Sequence, residues 1–213
     1  MARLITFAVI GLLAGFIANW IISQKSPSSA PAIQLEHATA LFGQTRPLSP
    51  FTLMDHDGQP FGNERLQGRW SFLFFGYTHC PDVCPTTLAS LNEAMGKIAT
   101  KENAKAPQVI FISVDPDRDD TDQLKGYVKY FNPNFLGLTG TPAAIDTLTS
   151  ALGILHVKTP NPNDPQNYLV DHTATVLLIN PEGELLALFG APHHADKISA
   201  DFNRLRTYYE EQS

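Results

Sequence analysis

The chain has two cysteines in 213 residues, at positions 80 and 84. So small a number excludes a miniature fold held by a framework of disulfides. No Lys/Arg-rich run occurs, and 15 basic against 21 acidic side chains leave a formal net charge of −6. That balance argues against a nucleic-acid surface. No internal repeat is present, which removes solenoids and propellers. Methionine is scarce as well, with three in the chain. Met54 and Met95 fall at positions that read as core, so thioether ligation of a metal is not expected. What remains is enough apolar residues for one ordinary domain of about 100–200 residues, with additional segments.

The chain is organised around the stretch from Trp70 to Leu88. Residues 71–75 form an apolar run of the length of a buried strand. Gly76 breaks it, and Cys80 and Cys84 follow. Pro85 lacks an N–H and disfavours a helical conformation at Cys84, which places the expected helix start at Pro85. Leu88, Leu91, Met95 and Ile98 then recur at helical spacing and define an inward face. The two thiols thus sit on a strand-to-helix corner. The N-terminal end of a helix carries partial positive charge and free N–H groups, both of which favour a thiolate.

Residues 4–22 are almost uninterrupted apolar sequence, with Asn19 as the strongly polar exception. About 20 residues span a bilayer core, whereas the apolar region of a cleaved signal peptide runs about 7–15. Trp20 suits an interfacial position. Residues 1–23 are therefore expected to be a single transmembrane anchor with its N-terminus in the cytoplasm. Residues 24–46, rich in Ser, Pro, Ala and Gln, read as a flexible tether. Residues 47–213 are expected to form the globular domain of a bacterial-type envelope protein.

Within that domain, Phe51 to Met54, Asp57-Gly58 and Pro60-Phe61 form a hairpin pattern with an Asp-Gly turn. Residues 108–114 read as a second buried strand stopped by Asp115-Pro116. A helix follows, with Asp119, Asp120 and Asp122 near its start and Leu124, Tyr127, Val128 and Phe131 on one face. Thr141-Pro142 opens another helix, which carries Ile145, Leu148 and Leu152 inward and ends at Gly153. Residues 159–167 read as a loop. Residues 175–179 and 184–189 flank Asn180-Pro-Glu-Gly183 as a second hairpin, and a last helix carries Ile198, Phe202, Leu205 and Tyr209. Strands alternating with helices, then a hairpin and a helix, predict an α/β fold with a mixed central sheet.

Two cysteines four positions apart close too small a loop for a stabilising disulfide to be the main reason for them. Thiol–disulfide exchange and metal capture by two thiolates both remain open. Soft thiolates select Cu(I) or Zn(II), and zinc takes three or four protein ligands. A third ligand is thus the discriminating feature. Among seven histidines, His172 is the best placed, in Val170-Asp171-His172 just before a strand. His79 adjoins Cys80 on the strand side. His193-His194 reads as a surface pair able to take a metal adventitiously. His37, His56 and His156 have no cysteine or carboxylate arrangement around them in sequence.

The ordered motifs Phe74-Phe-Gly-Tyr-Thr-His-Cys80-Pro-Asp-Val-Cys84-Pro85, Ser113-Val-Asp-Pro-Asp-Arg-Asp119, Val170-Asp-His172 and Asn180-Pro-Glu-Gly183 closely resemble the SCO/SenC family, from about Pro47 to the last helix. The resemblance implies a thioredoxin-like fold on a membrane anchor. Such proteins face the periplasm or the mitochondrial intermembrane space, and with no Arg/Ser-rich transit segment before the apolar run a bacterial inner membrane with the globular domain in the periplasm is expected. The resemblance further implies one copper per chain, as Cu(I) with Cu(II) as a further state, on Cys80, Cys84 and His172. It also implies delivery to the dinuclear copper centre in the copper-bearing subunit of cytochrome c oxidase. A periplasmic copper donor and a thioredoxin-like reductant would then be further partners. Asp82 and Asp115 fall within the matched motifs as candidates for supporting the ligands or touching a partner, or for capping a turn or strand end. A Cys80–Cys84 disulfide would expel the metal, so redox state would gate loading.

Two other classes compete. A general thiol–disulfide oxidoreductase would reduce the oxidase cysteines; against it stand the C-x-x-x-C spacing and the lack of an Ile-Pro-Thr-like segment before Thr175. A peroxiredoxin-like peroxidase is disfavoured because no Pro-x-x-x-Thr-x-x-Cys arrangement occurs.

Overall fold

The computed structural model describes residues 33–98, 105–164 and 167–212. The anchor expected at residues 1–23 lies outside them. Among the described residues, no helix is long and apolar enough to cross a membrane.

The apolar run at the cysteine corner becomes β5 (Ser71–Gly76), buried along its whole length. On one side it pairs in parallel with β6 (Gln108–Ser113), and β6 pairs in parallel with β7 (Leu136–Thr139). On the other side β5 pairs antiparallel with β10 (Val176–Ile179), which turns into β11 (Glu184–Phe189). The hairpin of β3 (Thr52–Asp55) and β4 (Pro60–Gly62) extends the sheet beyond β7. The mixed sheet expected from the alternation of elements is therefore present. Strands covered on both faces need apolar residues throughout, which is why β5 and β6 show no polar alternation.

Successive side chains on a strand point to opposite faces, and β5 divides the core accordingly. Phe72 and Phe74 pack on one face with Leu88 and Leu91 of α1 (Val83–Lys97), Leu124 and Val128 of α2 (Thr121–Phe131), and Phe202 of α4 (Ala195–Glu210). Leu73 and Phe75 pack on the other face with Ile145 and Leu148 of α3 (Pro142–Leu152). The Thr141 side chain caps α3 by accepting from the Ala144 N–H, and Gly153 ends it at φ 70°. The same period moves Met54 out of the core. It is 46 % exposed, because Leu53 and Asp55 occupy the inward positions of β3.

The segment expected as tether is partly folded. β1 (Ala38–Ala40) pairs antiparallel with β11, and β2 (Arg46–Pro47) pairs with the start of the same strand. The anchor is Asp201, fully buried on α4, whose carboxylate accepts from the N–H groups of Glu36, His37 and Ala38 at 2.7–3.0 Å. Burial raises the Asp201 pKa, but those three donors and Arg204 more than offset it and hold the carboxylate below its usual range. A Ser/Pro/Ala-rich composition reports low intrinsic order; it does not reveal a distant carboxylate that takes up the backbone.

A second departure concerns residues 156–172. β8 (His156–Thr159) and β9 (Leu169–His172) form a separate two-stranded antiparallel hairpin. Its intervening residues are the stretch read as a loop.

Candidate metal centre

α1 begins at Val83, two residues before the start expected at Pro85. Proline in the first turn lacks an N–H that would have no intrahelical partner in any case. Cys84 therefore lies inside the first turn, and its own N–H points at Cys80 Sγ, 3.5 Å away. Cys80 is half-buried and Cys84 fully buried, both as free thiols.

Gly76, at the end of β5, permits this placement. A Cβ at position 76 would stand 2.6 Å from Cys84 Sγ and 2.8 Å from the Phe111 ring. The break in the apolar run is thus the space that the second thiol occupies.

His172 reaches the corner from the end of β9. Its Nε2 lies 3.2 Å from Cys84 Sγ, and its ring stands edge-on to both Phe74 and Tyr77. Its Nδ1 lies 3.2 Å from the Thr173 carbonyl oxygen. A carbonyl only accepts, so Nδ1 carries the proton and the neutral ring turns the Nε2 lone pair toward the thiols. Fixing the tautomer through the remote nitrogen is how metal-binding imidazoles are commonly prepared. The ligand atoms of Cys80, Cys84 and His172 all lie within 4.8 Å of one another.

The two thiols are not equivalent. A hydrogen bond from Cys84 is the main cause that pushes the Cys80 pKa down, to about 4, and the backbone N–H groups of Asp82 and Cys84 add to it against the cost of burial. The same pairing pushes Cys84 up, with burial reinforcing it. At neutral pH the corner presents a Cys80 thiolate and a Cys84 thiol, and the Cys84 proton sits between two acceptors. A soft cation that displaced that proton would meet two thiolates and an imidazole lone pair.

Neither the Asp82 nor the Asp115 carboxylate belongs to this three-ligand cluster. Asp82 is exposed at the N-terminal cap of α1 and makes no side-chain cap bond; Thr86 Oγ1 donates to its carbonyl at 2.7 Å. Asp115 is fully buried. Its carboxylate accepts from Arg118 Nε and from the Tyr168 hydroxyl at 2.6 Å. Arg118 stacks on Tyr168, 3.6 Å from the ring centroid, and donates to the Tyr168 carbonyl. This cluster ties the end of β6 to the hairpin that carries His172.

Asp119 has a similar part on the thiol side. Read from sequence as a helix-start residue, it is fully buried and accepts from Ser113 Oγ at 2.6 Å and from Thr78 through both N–H and Oγ1. It pins the turn just before Cys80. The Asp-Pro-Asp-Arg-Asp spacing was the available signal for both carboxylates, but their partners are distant in sequence. Of the remaining histidines, His79 bonds Thr78 and His156 lies beside Asp146. His193, expected at the surface, is partly buried with Nε2 on the Ala174 carbonyl at 2.8 Å.

A thioredoxin-like domain with one thiol just before its first long helix, a second in that helix's first turn and an imidazole from a neighbouring hairpin defines a class of thiol-bearing metal sites. The SCO1/SenC family model matches residues 40–207. The chain belongs to the SCO1/SenC family. It is 40 % identical over 151 residues to the mitochondrial SCO1 homolog 1 of Arabidopsis thaliana, a match covering 70 % of this chain and 44 % of that protein. It is 34 % identical over 206 residues to the mitochondrial SCO1 homolog of Homo sapiens, covering 96 % of this chain and 66 % of the relative. The crystal structure of Arabidopsis thaliana ScoI with copper bound superposes with a TM-score of 0.72 at 35 % identity, covering 77 % of this chain and all of that one.

Proposed function

We propose that this protein carries copper for the assembly of cytochrome c oxidase. In this reading one Cu(I) is held by Cys80, Cys84 and His172 and passed to the copper-bearing subunit of the oxidase. The observation that carries the proposal is the convergence of two cysteine sulfurs and one imidazole nitrogen within 4.8 Å at a corner where Cys80 remains partly accessible. Two or three soft donors satisfy Cu(I), and the set is too small for a closed structural zinc site, which takes four protein ligands.

Transfer proceeds by ligand exchange. Incoming ligands of the oxidase subunit, a thiolate first, add to the metal on the accessible Cys80 side and displace Cys80, Cys84 and His172 one by one. Oxidation of the two thiols to a disulfide releases the metal, so loading requires a reductant. Cu(II) is a further state of the same site. Residues 1–23 anchor the chain to the bacterial inner membrane, with residues 47–213 on the periplasmic side. Asp82, exposed beside the thiols, is a partner contact; Asp115 supports the His172 hairpin from behind.

One observation favours a second reading. A thiolate next to a protonated thiol is also the reduced form of a disulfide reductant. Mixing the Cu(I)-loaded full chain with the reduced copper-bearing subunit separates the two. The carrier reading expects copper to move to the subunit, and this to fail in the Cys80→Ser and His172→Ala variants. Reduction of an oxidised subunit without any copper movement, unaffected by His172→Ala, would establish the reductant instead.

A further inference from the structure

Beyond the thiol corner, three histidines meet at the entry to α4. The His37 ring centroid lies 6.3 Å from that of His193 and 6.4 Å from that of His194. They come from distant parts of the chain. Asp201 holds the backbone of residue 37 against α4, and residues 193 and 194 lead into that helix.

The nitrogens of this cluster are poised in an unusual way. His193 Nε2 donates to the Ala174 carbonyl oxygen at 2.8 Å, which leaves Nδ1 as the lone-pair nitrogen. That Nδ1 is buried and has no hydrogen-bond partner, and the same holds for His37 Nε2. Buried polar atoms are nearly always satisfied, and two orphans in one cluster call for an unseen water or ion. An Nε2–H on a carbonyl with Nδ1 left bare is the neutral tautomer of His193. The neutral imidazole is the form that ligates a metal.

We infer that His37, His193 and His194 form a second metal site, one that takes a borderline divalent cation, Cu(II) foremost. Imidazole suits Cu(II), Zn(II) and Ni(II), and Cu(II) binds such sets most tightly. The rings are not yet closed to metal–nitrogen bonds of about 2.0–2.1 Å. His194 is exposed, so its side chain is free to turn inward and complete the set. His193 already has the remote-nitrogen hydrogen bond to a carbonyl that orients a ligating imidazole. The site differs from the thiol corner in chemistry, having three nitrogens and no sulfur. It is nonetheless its neighbour: the Phe74 ring is in edge contact with both His193 and His172, at centroid distances of 6.3 and 6.1 Å. The second site would give Cu(II) an all-nitrogen alternative to the thiol corner.

The test removes the first site to expose the second. The full chain carrying Cys80→Ser, Cys84→Ser and His172→Ala is titrated with Cu(II) against a competing chelator and examined by electron paramagnetic resonance. We expect one equivalent bound with nitrogen hyperfine structure. Adding His37→Ala or the surface substitution His194→Ala is expected to weaken it by at least tenfold. Circular dichroism of each variant checks that the fold persists. Failure of the triple variant to bind Cu(II), or equal binding after both histidine substitutions, would overturn the second site. Neither result bears on Cu(I) binding by the unaltered thiol corner.

Discussion

His172 Nε2 lies 3.2 Å from Cys84 Sγ, although 88 residues separate them in the chain. The contact joins the first turn of α1 to the end of β9, two elements that share no sheet. The site therefore depends on whatever holds the β8–β9 hairpin against the main sheet, as much as on its own ligands.

Gly76 should be intolerant of any side chain. The Cβ of Gly76→Ala would meet Cys84 Sγ at 2.6 Å and the Phe111 ring at 2.8 Å, both within a packed core. Overpacking of this kind costs about 1–3 kcal/mol. The variant should lower the urea midpoint and weaken Cu(I) binding together, and unchanged copper affinity would show that Cys84 can shift without loss.

Cys80 should behave as a thiolate far below the ordinary thiol range. With its pKa lowered to about 4, alkylation of the reduced, metal-free protein by iodoacetamide should be flat from pH 6 to 8 at Cys80, while Cys84 stays protected by burial and its raised pKa. A rate at Cys80 that climbs tenfold per pH unit across that range would contradict the arrangement.

The Asp115 cluster should act on copper through the hairpin. Tyr168→Phe deletes the hydroxyl that donates to the buried carboxylate, a charged hydrogen bond worth about 1.5–3 kcal/mol. Freed hairpin motion should lower copper affinity by about tenfold, the lower end for supports behind a metal ligand. Chelator competition measures it, and parent-like affinity in a destabilised variant would confine Tyr168 to stability alone.

His56 should give the fold an acid-sensitive clip. It is 2 % exposed, and its Nδ1 accepts from the Gly137 N–H at 2.9 Å, tying β3 to β7. Burial lowers its pKa below the usual 6.5, so between the two values the unfolded chain binds the extra proton and the native state does not. Stability should be complete above about pH 6.5 and fall as pH drops toward the folded value. His56→Gln, which keeps an acceptor but cannot titrate, should flatten that slope in urea unfolding between pH 7.5 and 5. Parallel slopes would remove His56 as the source.

How much of this was legible in the sequence follows from the range of each interaction. The cysteine corner, the Asp57-Gly58 and Asn180 to Gly183 turns, and the Thr141-Pro142 cap are local, and each stands where its residues placed it. The start of α1 was misjudged by two residues because a first-turn proline is tolerated at more than one position. His172 was marked by its place before a strand and by the Val170-Asp-His172 motif. The hairpin that brings it to Cys84 was hidden, since its short strands flank a Pro/Asn-rich stretch that reads as loop. Asp201 was not legible as an anchor at all, and Asp119 was marked by its motif but not by its partners. A buried carboxylate that collects backbone N–H groups from another part of the chain has no local pattern.

The central claim is that Cys80, Cys84 and His172 together hold one copper ion. Anaerobic titration of the reduced full chain with Cu(I), against a chelator competitor, tests it alongside Cys80→Ser, Cys84→Ser and His172→Ala. One equivalent held tightly by the parent, and weakened by more than about tenfold in each variant, is the predicted result. A parent that competes no better than its three variants would contradict it.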